Sequence, residues 1–186
     1  VPDALPSEIV KAEITVVKKS YAKGKLLEIE KTSPYRTQPS CPVYENCGGC
    51  QISHLTYEGQ LDVKYRRVRS VIERIAKEPG ELVLPVLPAA HPFHYRNKMA
   101  VPAGVVNGVP ALGYYKQGSH EVIPVSTCGI QEEENNRLLQ WAETFIQKHR
   151  ISLYNEKTKK GSIRHIMGRV GNDGKVMAVI VTATEE

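Results

Sequence analysis

Apolar and polar residues alternate between positions 8 and 18. Val10, Ala12, Ile14 and Val16 fall on one side and Lys11, Glu13 and Thr15 on the other, the pattern of a half-buried strand with a charged outer face. Gly24 falls in the turn expected after residues 20–23, and residues 25–30 read as the partner strand, with Leu27 and Ile29 inward. A lone hairpin is marginal in water, so this pair reads as part of a small β-barrel. Pro34 and Pro39 make residues 32–40 a linker. The period then turns helical. Thr56 is placed to cap a helix reaching about Lys77, in which Leu61, Tyr65, Val68, Ile72 and Ile75 form the core face, with Pro79 and Gly80 ending it. Pro85, Pro88 and Pro92 interrupt regular structure, after which residues 95–102, 111–116 and 121–125 read as three strands joined by turns at Asn107-Gly108 and Gln117-Gly118. A second amphipathic helix covers 131–149, with Leu138, Trp141, Ala142, Phe145 and Ile146 apolar and Glu132, Glu133 and Glu134 at its dipole-positive end. Residues 163–170 and 175–183 form a last hairpin across Asn172-Asp173-Gly174. The expected fold class is α+β: a partial barrel, then an antiparallel meander with two helices.

Hydrophobic content of 41% supports a packed core, and no apolar run reaches membrane-spanning length, so the expectation is a soluble, cytoplasmic protein with no membrane partner. The net charge of +5 says little by itself, but its distribution says more. Lysines and arginines gather in residues 11–25, 64–77 and 155–169, and segregated positive patches attract phosphate backbones. Solvated helix and strand faces are the plainer account of the same runs. Lys18, Lys19, Lys23 and Lys25 are candidates for sequence-independent RNA contact. Arg96 and Lys98, two apart on an expected strand, share a face and could hold phosphates, and a guanidinium can also stack on an unpaired base. Arg164 is a further candidate RNA contact. Since Arg164 and His165 should point to opposite faces, at most one of them meets the RNA, His165 sharing its side with Ile163 and Met167 as a core histidine would. Tyr21, Tyr114 and Tyr115 could stack on bases, though strand tyrosines are commonly core or edge residues.

Three of the four cysteines, Cys41, Cys47 and Cys50, share one short loop with Gly48 and Gly49; the fourth, Cys128, is remote. Three clustered thiolates and one distant one match the ligand pattern of an iron–sulfur cluster. Zinc, disulfides and unrelated thiols compete, although zinc favours two short ligand pairs and only Cys47 and Cys50 form one. No histidine is assigned to a metal.

Cys41-x5-Cys47-Gly48-Gly49-Cys50 followed by His54-Leu55-x-Tyr57-x-x-Gln60-Leu61-x-x-Lys64 resembles the S-adenosylmethionine-dependent RNA uracil-C5 methyltransferases that carry a [4Fe–4S] cluster. Tyr95-Arg96-Asn97-Lys98, Gly113-Tyr114-Tyr115 leading to Gly118-Ser119-His120 and Cys128, and Ile163-Arg164-His165 are similar to further motifs of that family, and residues 1–8 look like the later half of a TRAM domain. The resemblance implies a TRAM half over 1–38 and a central domain over 39–186. It implies Cys41, Cys47, Cys50 and Cys128 as cluster ligands, and 23S ribosomal RNA as the partner, with transfer RNA second; no protein partner is indicated. It also implies that the S-adenosylmethionine site, the catalytic cysteine and the base lie in a Rossmann-like domain for which this sequence has no glycine-rich fingerprint and no fifth cysteine. The 186 residues therefore read as an RNA-recognition fragment, inactive alone, with no catalytic residue of its own. A non-enzymatic zinc- or cluster-stabilised RNA-binding module stays open beside it; a ferredoxin-like carrier is a weaker third.

Overall fold

A computed structural model describes residues 1–183; Thr184, Glu185 and Glu186, the end of the expected central domain, lie outside the described residues. The chain packs as two compact units, Val1–Ser40 with Ile52–Leu87, and Cys41–Gln51 with the residues from Pro88 onward. The cysteine loop thus belongs to the second unit although the chain on both sides of it belongs to the first.

In the first unit, β1 (Ile9–Val17) pairs antiparallel with β2 (Ala22–Lys31). Three register shifts break the alternation. Val10 faces Ile29 and Ala12 faces Leu26, which leaves Leu27 as the extra residue of a bulge. Leu27 is consequently exposed rather than inward, and Leu26 and Ile29 are half-buried. Gly24 is not in the turn: it is a buried strand residue opposite Ile14, and the turn closes earlier, Lys18 N–H donating to the Tyr21 carbonyl at 2.8 Å. The described residues give this ribbon no third strand, so Ile14, Val17 and Leu27 stand open where a barrel wall was expected.

Helix α1 (Tyr57–Val71) starts as expected, Gly59 N–H donating to Thr56 Oγ1 at 3.2 Å. Gly59 is its one buried residue, because a Cβ there would strike the Tyr35 side chain. Leu61, Tyr65 and Ile72 are half-buried, but Val68 and Ile75 are exposed and do not face a core. From Ile72 to Ala76 the helix widens into a π-turn, which carries Ile75 off the apolar stripe, and Lys77 ends it in the left-handed conformation. Gly80 instead opens a short 3₁₀ turn, Gly80–Leu82.

The second unit is a five-stranded antiparallel sheet of β3 (Lys98–Val106), β4 (Val109–Tyr115), β5 (Val122–Pro124), β6 (Ile163–Val170) and β7 (Val176–Thr182), in the order β5-β4-β3-β6-β7. Asn107 and Gly108, at φ of 52° and 81°, turn the β3–β4 hairpin. Residues 95–97 are not part of β3, because Arg96 pairs with the chain beyond Cys128: its N–H donates to the Ile130 carbonyl at 2.8 Å, and its carbonyl accepts from Glu132 N–H at 3.1 Å.

Helix α2 (Glu133–His149) covers one face of this sheet. Met99, Val101, Leu112 and Ile166 pack against its Leu139, Ala142 and Ile146. The apolar face is turned from the expected one. Leu139 is fully buried, whereas Trp141 is exposed and stacks on Phe145 with ring centroids 5.1 Å apart. Two buried asparagines, Asn135 and Asn136, complete the inward face, and polarity hid them from a hydrophobic pattern.

Candidate metal centre and nucleic-acid interface

The cysteine loop is built onto the end of β4. Gly48 N–H donates to the Tyr115 carbonyl at 2.9 Å, and Cys47 bridges antiparallel to Lys116. A Cβ on Gly48 would stand 2.9 Å from that carbonyl and 3.1 Å from Gln117, so only glycine permits this approach. Cys47 N–H donates to the Val43 carbonyl at 2.8 Å, and Gly49 N–H faces Cys47 Sγ at 3.4 Å. Cys128 is placed from α2: its N–H donates to Asn136 Oδ1 at 2.9 Å, and its carbonyl accepts from Asn136 Nδ2 and from Gln131 N–H.

All four thiols are free and half-buried. Burial pushes the Cys47 and Cys128 thiols up, and the charges of Cys41 and Cys50 push both further the same way; Arg96 opposes this at Cys47. The remote cysteine is thus within electrostatic range of the loop. Among the described residues no three His, Cys, Asp or Glu side chains converge as ligands of one metal ion. A lone zinc would draw sulfurs to about 2.3 Å of one point, whereas a cluster is held by thiolates at its corners. The donor set fits the cluster in kind, being four cysteines without a carboxylate or histidine. A second observation agrees. Tyr114 Oη, a buried donor without a hydrogen-bond partner among the described residues, feels the charges of Cys128, Cys47 and Cys50. A buried orphaned donor of this kind calls for an acceptor.

The expected RNA-contacting residues do not form one group. Lys18 and Lys19 lie in the exposed β1–β2 turn, with Lys23 and Lys25 exposed on β2, all in the first unit. Lys11, in the same basic run, is committed to Glu28 at 2.8 Å and Glu30 at 3.3 Å. In the second unit Arg96 and Lys98 do not share a strand face. Arg96 is half-buried, with its charge felt at Cys47 and Tyr114, and Lys98 is an exposed β3 residue opposite Arg169.

Arg164 and His165 were expected on opposite faces, but the structure brings them together. The β6–β7 register shifts between Ile163 and His165, so Arg164 is a bulge residue, and both side chains line one cleft. The same shift separates His165 from Ile163, which is in the core. The cleft measures about 660 Å³. Sequence reasoning missed its other walls, Tyr154, Glu156 and His120, because they meet only through the fold: His120 Nδ1 lies 2.8 Å from Glu156 Oε2, 36 positions apart.

No family model matches the chain. Over its whole length it is 46% identical to a Bacillus cereus (strain ATCC 10987) protein named as an uncharacterized RNA methyltransferase, and 38% identical to one of the same description from Halalkalibacterium halodurans; each alignment covers 41% of that relative. The chain therefore spans less than half the length of the curated relatives it matches. Among solved structures, the Pyrococcus abyssi tRNA (uracil-54, C5)-methyltransferase in complex with S-adenosyl-L-homocysteine shares the fold, with a TM-score of 0.67 and 24% identity over 97% of this chain and 40% of that one.

Proposed function

We propose that this chain is the RNA-recognition portion of a 23S ribosomal RNA uracil-C5 methyltransferase. The observation that carries the reading is that relatives named as RNA methyltransferases match the chain from end to end at 38–46% identity. In such an enzyme a cysteine attacks uracil C6, C5 then takes the methyl group of S-adenosylmethionine, and a base removes the C5 proton as the C6–sulfur bond breaks and the thiolate leaves. None of the four cysteines here is assigned that attack. The donor, the nucleophile and the base belong to other parts of the longer enzyme, and these 186 residues alone transfer no methyl group. Residues 1–38 act as part of a TRAM domain, and the rest as the central domain. The protein works in the cytoplasm.

Cys41, Cys47, Cys50 and Cys128 would hold a [4Fe–4S] cluster, which, when bound, supplies either a rigid clamp or an electron-exchange centre; the clamp fits their placement on two chain segments. The unpartnered Tyr114 hydroxyl would donate a hydrogen bond to that cluster. Lys18, Lys19, Lys23, Lys25, Lys98 and Arg164 carry positive charge for the RNA backbone, and Arg96 steadies the thiolates. Transfer RNA is the second reading, favoured by the substrate named for the Pyrococcus abyssi neighbour.

Electrophoretic shifts of the chain with 23S ribosomal RNA transcripts and with transfer RNA test this. Tighter binding to the ribosomal transcripts is expected, with a shallower salt dependence after Lys18, Lys19, Lys23 and Lys25 are changed to glutamate. Preference for transfer RNA moves the reading to the second substrate, and no RNA binding overturns both.

A further inference from the structure

The cleft between the β3–β4 hairpin, β6 and the 153–160 loop is lined by two flat, preformed surfaces. On one wall the Tyr115 ring stacks on the His120 imidazole, centroids 5.0 Å apart and planes 20° from parallel. His120 is held in that plane by Glu156, 2.8 Å from its Nδ1, and the contact also ties the 153–160 loop to the wall. On the other, the Arg164 guanidinium lies 4.7 Å above the centre of the Tyr154 ring. The bulge at Arg164 is what turns it into the cleft beside His165.

The cleft lining carries two carboxylates, Glu121 and Glu156, and two cations, Arg164 and Lys157, and the carboxylates are already engaged. Glu156 is engaged by His120, which holds its carboxyl below the usual range, and Glu121 by Lys116 at 3.5 Å. Arg164 and Lys157, which also line the cleft, form no ion pair among the described residues. A ligand for this site is flat enough to stack, carries anionic charge for Arg164 and Lys157, and fits about 660 Å³, within the range of about 300–1,000 Å³ of small-ligand sites.

We propose that this cleft seats one unpaired nucleotide of the RNA substrate, its base stacked between the Tyr115–His120 wall and the Arg164–Tyr154 wall and its phosphate against Lys157. Aromatic and guanidinium planes are the usual platforms for splayed-out RNA bases. The site lies on residues distinct from the cysteine loop, and the inference rests on the RNA-binding reading above.

The test is fluorescence anisotropy of the chain with a short labelled single-stranded oligoribonucleotide and with the duplex of the same sequence. Arg164→Ala and Tyr115→Leu are expected to weaken single-strand binding about tenfold each, the loss of one stacked base; Tyr115→Leu is expected to leave duplex binding unchanged, and Arg164→Ala to weaken duplex binding less than single-strand binding. Tyr115→Phe, which keeps the ring, is expected to bind like the parent. Thermal melts confirm that each variant folds, and crosslinking of 4-thiouridine-containing strands to the parent chain reads occupancy of the cleft without any substitution, at Tyr115 or Tyr154. Single-strand affinity unchanged in both disruptive variants, or crosslinks confined to other surfaces, overturns the cleft while leaving the RNA reading intact. Absence of binding to either RNA overturns both.

Discussion

Arg36 grips both carboxylate oxygens of Glu8, its Nε donating to Oε1 at 2.6 Å and its Nη2 to Oε2 at 2.8 Å. The Glu8 side chain is fully buried, and its oxygens also accept backbone N–H groups from Leu5 at 2.8 Å and Ser33 at 3.2 Å. One ion pair therefore ties the entry to β1 to the linker that follows β2, which accounts for a two-stranded ribbon being held in a compact unit. Glu8→Gln keeps the shape and removes the charge, leaving Arg36 partly buried without its counter-ion. The expected cost is about 2–4 kcal/mol, read as a lower denaturant midpoint in chemical unfolding followed by a probe in the first unit.

The same pair sets a pH dependence. The hydrogen bond from Arg36 holds the Glu8 carboxyl down at about 2, against an ordinary value of 4.5. With the folded value depressed, its stabilisation is complete above pH 4.5 and is lost as pH falls toward 2. Burial also holds the His54 imidazole below its ordinary 6.5, so the folded state resists its protonation and stability begins to decline below that pH. Thermal melts between pH 7 and pH 2 should show both losses, and Glu8→Gln should remove the lower one.

Leu139 and Trp141 separate burial from hydrophobicity on α2. Leu139→Ala empties a fully buried site between the helix and the sheet and should cost about 2–5 kcal/mol. Trp141→Ala loses only an exposed ring stacked on Phe145 and should cost about 1 kcal/mol. Paired urea denaturation curves measure both.

Gly113 is where β5 closes on β4: a Cβ there would drive into the Ile123 carbonyl. Gly113→Ala should lower stability by about 3 kcal/mol through this overlap. It should also loosen the segment leading to Cys128, seen as faster amide exchange from Val122 to Cys128.

Cys128→Ser and Tyr114→Phe address the proposed cluster. After anaerobic reconstitution, Cys128→Ser should lose the visible absorption along with bound iron and sulfide. Tyr114→Phe should keep the absorption but lower the reduction potential, because a hydrogen bond to cluster or thiolate sulfur favours the more negative, reduced state. One zinc per chain, without sulfide, would instead identify a zinc module.

Local pattern and side-chain chemistry carried the sequence reading a long way. The Thr56 cap, the Asn107-Gly108 and Asn172-Asp173-Gly174 turns and the span of β6 were legible because each depends on neighbours a few positions apart. The cysteine set could be named as a candidate because thiols and glycines are chemically distinctive wherever they stand.

What the chain alone left undecided was every relationship that depends on register or on distant partners. Bulges turned Leu27 outward and Arg164 toward His165, since one extra strand residue reverses the side-chain alternation beyond it. The buried arc of α2 runs through Asn135, Asn136, Leu139 and Ala142, because sheet packing, rather than apolarity, chose the inward face. The cleft walls come from the end of β4 on one side and, 36 positions on from His120 to Glu156, from the 153–160 loop and β6 on the other, joined by His120–Glu156 and Arg164–Tyr154 contacts that have no local signature. Sequence specified the parts whose energetics are short-range, and the tertiary fold decided which of them meet.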